Sequence, residues 1–150
     1  MRIYVASSWR NYYQPEVVQI LRDAGHDVYD FRHPAPGDDG FSWAEIDPAW
    51  QSWTPEQYRE ALQHPLAQVG FAQDKLALQM ADVTVLVLPC GRSAHLELGY
   101  AVGINQRTAV LMPEPCEAEL MNLLVDRICL SMDELLSWLH GIDIDDHATA

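Results

Sequence analysis

A glutamate near the middle of the chain stands where the sequence pattern predicts that it can do chemistry. The apolar, β-branched run 83–88 is typical of a strand buried in the middle of a parallel sheet. A turn follows, and a helix is predicted over about 94–104 with Ser93 as its N-cap. In open α/β sheets, ligands bind in such a strand-to-helix crevice. Glu97 is therefore a candidate catalytic residue, although the helix dipole alone also favours acidic residues near a helix start.

A second carboxylate, Asp74, interrupts an apolar pattern. The helix predicted after Pro65, from 66 to about 80, has an inward seam that includes Ala67, Phe71 and Leu78, and Asp74 lies within that seam. A buried charge is costly unless it is paired or hydrogen-bonded. Asp74 is therefore either a structural, hydrogen-bonded residue or part of a functional site.

The elements that would position these carboxylates alternate along the chain. Short apolar runs alternate with helical periodicity, an order typical of βαβ units joined by right-handed crossovers. The predicted fold is α/β, a doubly wound, flavodoxin-like or Rossmann-like five-stranded parallel sheet in three α/β/α layers. Strands are predicted at 3–6, 28–31, 83–88, 108–111 and 127–130, and helices at 16–24, from Thr54 to about 63, 66–80, 94–104 and from Ser131 to a cap at Gly141, with a short helical piece at 117–124.

Composition limits the class of protein. A chain of 150 residues with 49% hydrophobic content predicts one domain, 1–142, followed by a frayed acidic tail, 143–150. No apolar run is long enough to span a membrane and no leader is recognised, so we expect a soluble, cytoplasmic protein without membrane partners. The net charge of −13, without a basic patch, argues against a nucleic-acid polymer as partner. The spacing of Cys90, Cys116 and Cys129 favours neither disulfides nor a Cys-rich zinc site.

The segment 32–54 is unusual because it is long, rich in proline and glycine, and contains Trp43, Trp50 and Trp53. Such loops are functional or disordered, and three large aromatic residues argue against disorder. We interpret the segment as an ordered lid or partner surface. Three roles stay open for the tryptophans: anchoring the segment to the core, stacking on a planar ligand, and packing in a dimer.

Several other chemistries are disfavoured. The motifs of P-loop nucleotide triphosphatases, dinucleotide-binding dehydrogenases and α/β-hydrolases are missing from the sequence. A nucleophilic pair of Cys90 and His95 lacks an obvious third, orienting residue. No cofactor and no metal are expected, because one acidic cluster has spacing that matches no standard metal site; its members are His33, Asp38, Asp39 and Asp47.

Four features together resemble the nucleoside 2-deoxyribosyltransferase family and its relatives that hydrolyse nucleoside monophosphates. They are the loop after the first strand, Asp74 eight residues before Asp82, the run 83–88, and the sequence Leu-Glu-Leu-Gly-Tyr-Ala at 96–101. The resemblance implies a flavodoxin-like fold, Glu97 as nucleophile and Asp74 as the residue that assists the leaving base. It also implies a homodimer or higher homo-oligomer in which a neighbouring subunit helps to complete the site. The segment 32–53 is larger than expected for the family.

The substrate implied by this resemblance is a small-molecule nucleoside or nucleoside 5′-monophosphate. Breaking its C1′–N bond passes through an oxocarbenium-like state that a carboxylate stabilises or traps, as in retaining glycosidases. A loop is expected to line the base and ribose, and the helix N-terminus suits a 5′-phosphate, although Arg92 is equally consistent with a solvated surface residue. The loop residues are Ser7, Ser8 and Trp9, and those of the helix N-terminus are Gly91, Arg92 and Ser93.

Two other functions stay open at this stage. An enzyme related to the Toll/interleukin-receptor-like NAD glycohydrolases would also use one helix-borne glutamate but would release nicotinamide. A non-catalytic nucleotide-sensing module would keep the pocket and turn nothing over.

Overall fold

The computed structural model describes residues 1–148, with side chains described as far as Ile142. Its centre is a parallel sheet in the order β2-β1-β3-β4-β5. This order confirms the predicted fold class. The strands are β1 (Arg2–Ala6), β2 (Asp27–Asp30), β3 (Val83–Val87), β4 (Arg107–Leu111) and β5 (Arg127–Cys129).

Helices cover both faces of the sheet: α1 (Gln14–Asp23), α2 (Pro55–Ala61), α3 (Pro65–Met80), α4 (Arg92–Gly103) and α5 (Met132–Ala148). The alternation of side chains along each strand divides the core in two. Ile3 and Val5 of β1 pack with α1 and α5. Tyr4 and Ala6 point the other way, into the layer formed by α3 and α4. Every residue of β3 is buried, as expected for the central strand of a parallel sheet.

Local sequence signals explain several element boundaries. Thr54 caps α2 in a capping box with Gln57, and Pro55 occupies the first turn, as the pattern predicts. The predicted start of α4 is wrong by two residues, because Gly91 is the N-cap and Ser93 lies inside the helix. Gly141 does not end α5, which continues to Ala148. The predicted tail 143–150 falls on residues whose side chains, and at 149–150 whose backbone, lie outside the described part of the chain.

The segment 32–54 is built around its aromatic residues. Trp43 makes edge-to-face contacts with Phe41, Trp53 and Tyr58, with ring centroids 4.8, 5.7 and 6.0 Å apart. The indole N–H of Trp53 donates to Asp47 Oδ2 at 2.6 Å. Short 3₁₀ turns at Trp43–Glu45 and Trp50–Ser52 shape the path. Trp43 and Trp53 therefore pack within the segment, and Trp43 also packs against α2. No helix in the described part of the chain has the length and apolar character needed to cross a membrane.

Candidate active site

The strand order places a crevice at the carboxyl ends of β1 and β3. After β1 the chain goes to β2 on one side, whereas β3 lies on the other side of β1. The loops that follow β1 and β3 therefore diverge, and ligands of doubly wound sheets bind at such a switch point. The predicted site segment 7–9 lies in the first of these loops, and the segment 91–93 lies where the second loop enters α4.

Two tyrosines form the floor beside this crevice. Tyr4 of β1 and Tyr29 of β2 are direct neighbours in the strand register. Their rings stack with centroids 5.3 Å apart and an interplanar angle of 15°. Both rings lie in the layer that contains α3 and α4. The two phenol groups thus point into the layer from which the two carboxylates come.

Glu97 of α4 lies largely inside the protein. Burial, and then the negative charge of Asp74, raise the pKa of Glu97 to about 8. The neighbouring Tyr4 hydroxyl acts in the opposite direction. That hydroxyl is buried and forms no hydrogen bond of standard geometry within the described residues. Burial and the nearby charges of Glu97 and Asp74 raise the Tyr4 pKa far above its usual range, so the phenol keeps its proton.

Asp74 of α3 is held by the second tyrosine. The Tyr29 hydroxyl donates to Asp74 Oδ1 at 2.7 Å. Burial raises the pKa of Asp74, the hydrogen bond from Tyr29 lowers it, and the charge of Asp38 raises it. Asp74 is therefore both hydrogen-bonded and part of a cluster of interacting carboxylates, so the two interpretations left open by the sequence are compatible.

Asp38 brings the segment 32–54 next to this cluster. Its carboxylate accepts hydrogen bonds from the Gly40 backbone N–H at 2.9 Å and from Gln73 Nε2 of α3 at 3.2 Å. Gly40 has a φ of 74°, in the left-handed region, and a Cβ at this position would meet the Phe31 carbonyl oxygen and the Trp9 ring at close range. The segment is thus fixed both to α3 and to the loop that follows β1.

The three predicted residues after β1 have different surroundings. The Ser7 hydroxyl donates to the Val87 carbonyl at 2.9 Å and so ties the end of β1 to the end of β3. Ser8 Oγ accepts from the Arg10 backbone N–H at 3.2 Å and stabilises the turn. Trp9 is 52% exposed and packs edge-on against Phe31. Among these three, Trp9 offers the largest surface to a ligand.

Asn11 and Arg32 hold this loop in place, and the sequence interpretation missed both. Asn11 is buried and donates to the carbonyls of Val87 and Pro89 at 3.1 and 2.9 Å. The Arg32 guanidinium donates to the backbone carbonyls of Ser8, Trp9 and Asn11 at 2.8, 3.1 and 2.7 Å. The sequence signals for them are weak: Asn11 is a polar residue within a strand-to-helix loop, and Arg32 is a cation after the next strand.

The loop after β3 brings Gly91, Arg92 and Ser93 to the start of α4, and all three are exposed. The structure does place Cys90 beside His95, with Sγ 3.6 Å from Nδ1. However, His95 Nδ1 also lies 3.0 Å from the Gly91 carbonyl, which only accepts, so Nδ1 carries the proton and cannot deprotonate the thiol. Burial, and then Glu97, raise the pKa of Cys90 to about 12. These contacts argue against Cys90 as a nucleophile.

The acidic cluster considered for a metal does not assemble. Asp38 binds Gly40 and Gln73, Asp47 binds Trp53, and His33 Nδ1 lies 3.2 Å from Asp30 Oδ2. Across the described residues, no three His, Cys, Asp or Glu side chains converge in a geometry that would hold a metal ion.

Two surface cavities have linings that include neither Glu97 nor Asp74. One, of about 490 Å³, is lined by Trp53, Glu60 and His64 among others. The other, of about 400 Å³, lies along the segment 33–39 and includes Asp38. Neither is lined by Glu97 or Asp74, so we identify the candidate site by its chemistry and its position at the switch point.

Comparisons with known proteins place the fold. The chain is similar to a 2-deoxyribosyltransferase from the psychrotolerant bacterium Bacillus psychrosaccharolyticus, with a TM-score of 0.62 and 19% sequence identity over 91% of this chain and 90% of that chain. It is less similar to the CMP N-glycosidase BcmB of Clostridium botulinum, with a TM-score of 0.49 and 15% identity over 93% and 99% of the two chains. No protein-family model and no curated protein matches the sequence. The chain thus shares the fold of the 2-deoxyribosyltransferase over nearly its whole length.

Proposed function

We propose that this chain breaks the N-glycosidic bond of a small-molecule nucleoside or nucleoside 5′-monophosphate through a glutamate nucleophile. The observation that carries the proposal is the pair of largely buried, interacting carboxylates, Glu97 and Asp74, beside the switch-point crevice. Paired carboxylates with different environments are what glycoside chemistry uses for its two roles. The fold shared with a 2-deoxyribosyltransferase supports the same chemistry.

In the proposed reaction, a Glu97 carboxylate oxygen bonds to C1′ as the C1′–N bond breaks. The bonding electrons of C1′–N go to the base, and Asp74 donates a proton to a ring nitrogen of that base. A glycosyl ester of Glu97 results. Water or the ring nitrogen of a second base then attacks C1′, displaces Glu97 and returns its proton to Asp74. Hydrolysis and transfer therefore differ only in the second acceptor.

The reactive form carries one proton on the carboxylate pair. Glu97 must be ionised and Asp74 must be protonated, and the negative charge of an ionised Asp74 raises the pKa of Glu97. When the proton is on Asp74, the charge that opposes the ionisation of Glu97 disappears. The pair thus favours the state in which only one of its two members is charged.

The loop residues Ser7, Ser8 and Trp9 line the base and ribose side in this proposal. Trp9 supplies the exposed aromatic surface, while Ser7 supports the loop through Val87. Gly91, Arg92 and Ser93, at the N-terminus of α4, are proposed to receive a 5′-phosphate through backbone N–H groups and one cation. Replacing Arg92 by alanine should then raise KM for a nucleotide while leaving KM for the matching nucleoside unchanged.

The proposal includes a homodimer or higher homo-oligomer. An exposed apolar stripe runs along the helix that carries Asp74, where Leu66, Val69, Leu76 and Met80 are 44%, 66%, 58% and 51% exposed. Helical spacing puts these four residues on one face. Such a face is typical of a protein interface. Light scattering at micromolar concentration tests the assembly, and Val69→Glu should shift it towards the monomer.

The decisive experiment is incubation of the protein with a panel of nucleosides, nucleotides and NAD, followed by chromatography for free base and exchanged nucleoside. We expect release or exchange of a nucleobase, and a loss of several orders of magnitude in kcat for Glu97→Gln. Glu60→Gln, which changes an exposed glutamate of α2, is the matched control. Full activity of Glu97→Gln would refute the mechanism. Nicotinamide release would favour a NAD glycohydrolase, and tight binding without a product would favour a sensing module.

A further inference from the structure

The Tyr29 hydroxyl makes a hydrogen bond that has no role in the reaction proposed above. This hydroxyl donates to one particular oxygen of Asp74, Oδ1, at 2.7 Å. The Tyr29 ring is fixed by stacking on Tyr4, its neighbour in the strand register. The donor is therefore held on a strand of the sheet and does not depend on a mobile loop.

The direction of this hydrogen bond follows from the acidity of the phenol. Burial, the hydrogen bond to Asp74 and the charges of Asp74, Asp38 and Glu97 all raise the pKa of Tyr29 well above its usual range. The phenol therefore keeps its proton and donates it. An oxygen that accepts this donor is the carbonyl-like oxygen of a neutral carboxylic acid, so the acid proton lies on the other oxygen, Oδ2.

We propose that Tyr29 is a positioning residue, which confines the transferable proton of Asp74 to Oδ2 and orients that oxygen towards the departing base. This inference rests on the proposed function, because it requires Asp74 to be the acid. Without the Tyr29 hydroxyl, either oxygen carries the proton and the carboxyl group rotates more freely. Proton transfer to the base then loses the geometry on which general acid catalysis depends.

The other groups around Asp74 make the effect of removing Tyr29 predictable in sign. Asp38 faces Asp74 from the segment 32–54, Glu97 from α4 and the Tyr4 phenol from β1. Burial and the charge of Asp38 raise the pKa of Asp74, and the Tyr29 hydrogen bond lowers it. Removing the hydroxyl should therefore raise the pKa of Asp74 and extend its protonated form to higher pH.

The test is Tyr29→Phe, which keeps the stacked ring and removes one oxygen. Two substrates are compared: an ordinary nucleoside that the panel identifies, and the same nucleoside with its base methylated on a ring nitrogen. The methylated base is already cationic and leaves without a proton. We expect kcat/KM for the ordinary nucleoside to fall tenfold or more, and the alkaline limb of its pH profile to move to higher pH. For the nucleoside with the cationic base, kcat/KM should change by less than about twofold. Tyr58→Phe, on α2, is the control for loss of an exposed phenol.

A double variant separates positioning from general damage to the fold. If Tyr29 acts through Asp74, Tyr29→Phe should have no further effect on the ordinary nucleoside in an Asp74→Asn background. Equal losses on both substrates, or an unmoved alkaline limb, would overturn the inference while leaving the proposed function intact. Failure of the proposed function itself shows differently, as an absence of turnover in the wild type or as full activity in Glu97→Gln.

Discussion

Glu97 should make the stability of the folded protein fall as the pH rises, and Glu97→Gln should remove that fall. The pKa of this carboxyl is raised from 4.5 to about 8 on folding. Below pH 4.5 the group is protonated in both the folded and unfolded chain and has no effect. As the pH rises to about 8, the unfolded chain releases the proton first, so the free energy of unfolding decreases.

The size of this effect follows from the same shift. Each pKa unit corresponds to about 1.4 kcal/mol, which gives an upper limit on the order of 5 kcal/mol at pH 9 relative to pH 4. Relaxation and entry of water lower the real cost of burying a charge. We therefore expect the free energy of unfolding to fall with rising pH by at least about 2 kcal/mol more in the wild type than in Glu97→Gln. Glutamine keeps the shape of the side chain and cannot ionise.

Urea unfolding at pH 5 and pH 9 measures the effect without any substrate. The other carboxylates are common to both proteins, so the difference between their pH dependences isolates Glu97 and its coupling to Asp74. Glu60→Gln should follow the wild type, because it alters an exposed side chain. If Glu97→Gln loses as much stability between the two pH values as the wild type does, Glu97 does not have a raised pKa in the folded protein.

Three further predictions concern other parts of the site. Asp74→Asn removes a negative charge and should lower the pKa of Glu97. The acid limb of kcat/KM on a nucleoside with a cationic base should therefore move below about pH 8. An unmoved limb would show that the carboxylates do not interact. Asn11→Ala leaves several buried backbone groups unpaired, so it should reduce the free energy of unfolding, measured with urea, by about 2–4 kcal/mol. A loss below about 0.5 kcal/mol would contradict that role. Gly40→Ala should lower Tm more than Gly37→Ala, because both glycines have a positive φ but only Gly40 lies against other atoms; equal changes would mean that the close packing is unimportant.

Much of the fold was predictable because its signals are local. Strands β1, β3 and β4 are apolar runs of strand length, and α2 starts at a capping box that reads directly from Thr54 to Gln57. The strand-to-helix crevice follows from the βαβ order. The positions of Glu97 and Asp74 relative to these elements were therefore accessible from the sequence, including the departure of Asp74 from an apolar seam.

Other features of the site depend on which helix faces pack against the sheet, and local sequence patterns do not predict that packing. Phe71 belongs to the predicted inward seam of α3 yet is 62% exposed, whereas Ala67 and Leu78 of the same seam are buried. Tyr4 and Tyr29 fit ordinary strand patterns, and their hydroxyls acquire meaning only when α3 and α4 cover the same face of the sheet. The burial of Glu97 likewise results from the packing of α4 on this face.

The carboxylate pair of Glu97 and Asp74 costs stability, and the proposed chemistry gives a reason for that cost. Two carboxylates in one poorly solvated place cost stability when both are charged, and the tyrosines limit that cost only in part. In the proposed reaction, the same desolvation makes an ionised Glu97 more reactive towards an electron-poor C1′, and burial together with the charge of Asp38 favours the protonated form of Asp74. A well-solvated pair would cost less stability and would lack these shifted pKa values. The electrostatic cost at the end of β1 and β3 is therefore itself a reason to assign the chemistry to this place.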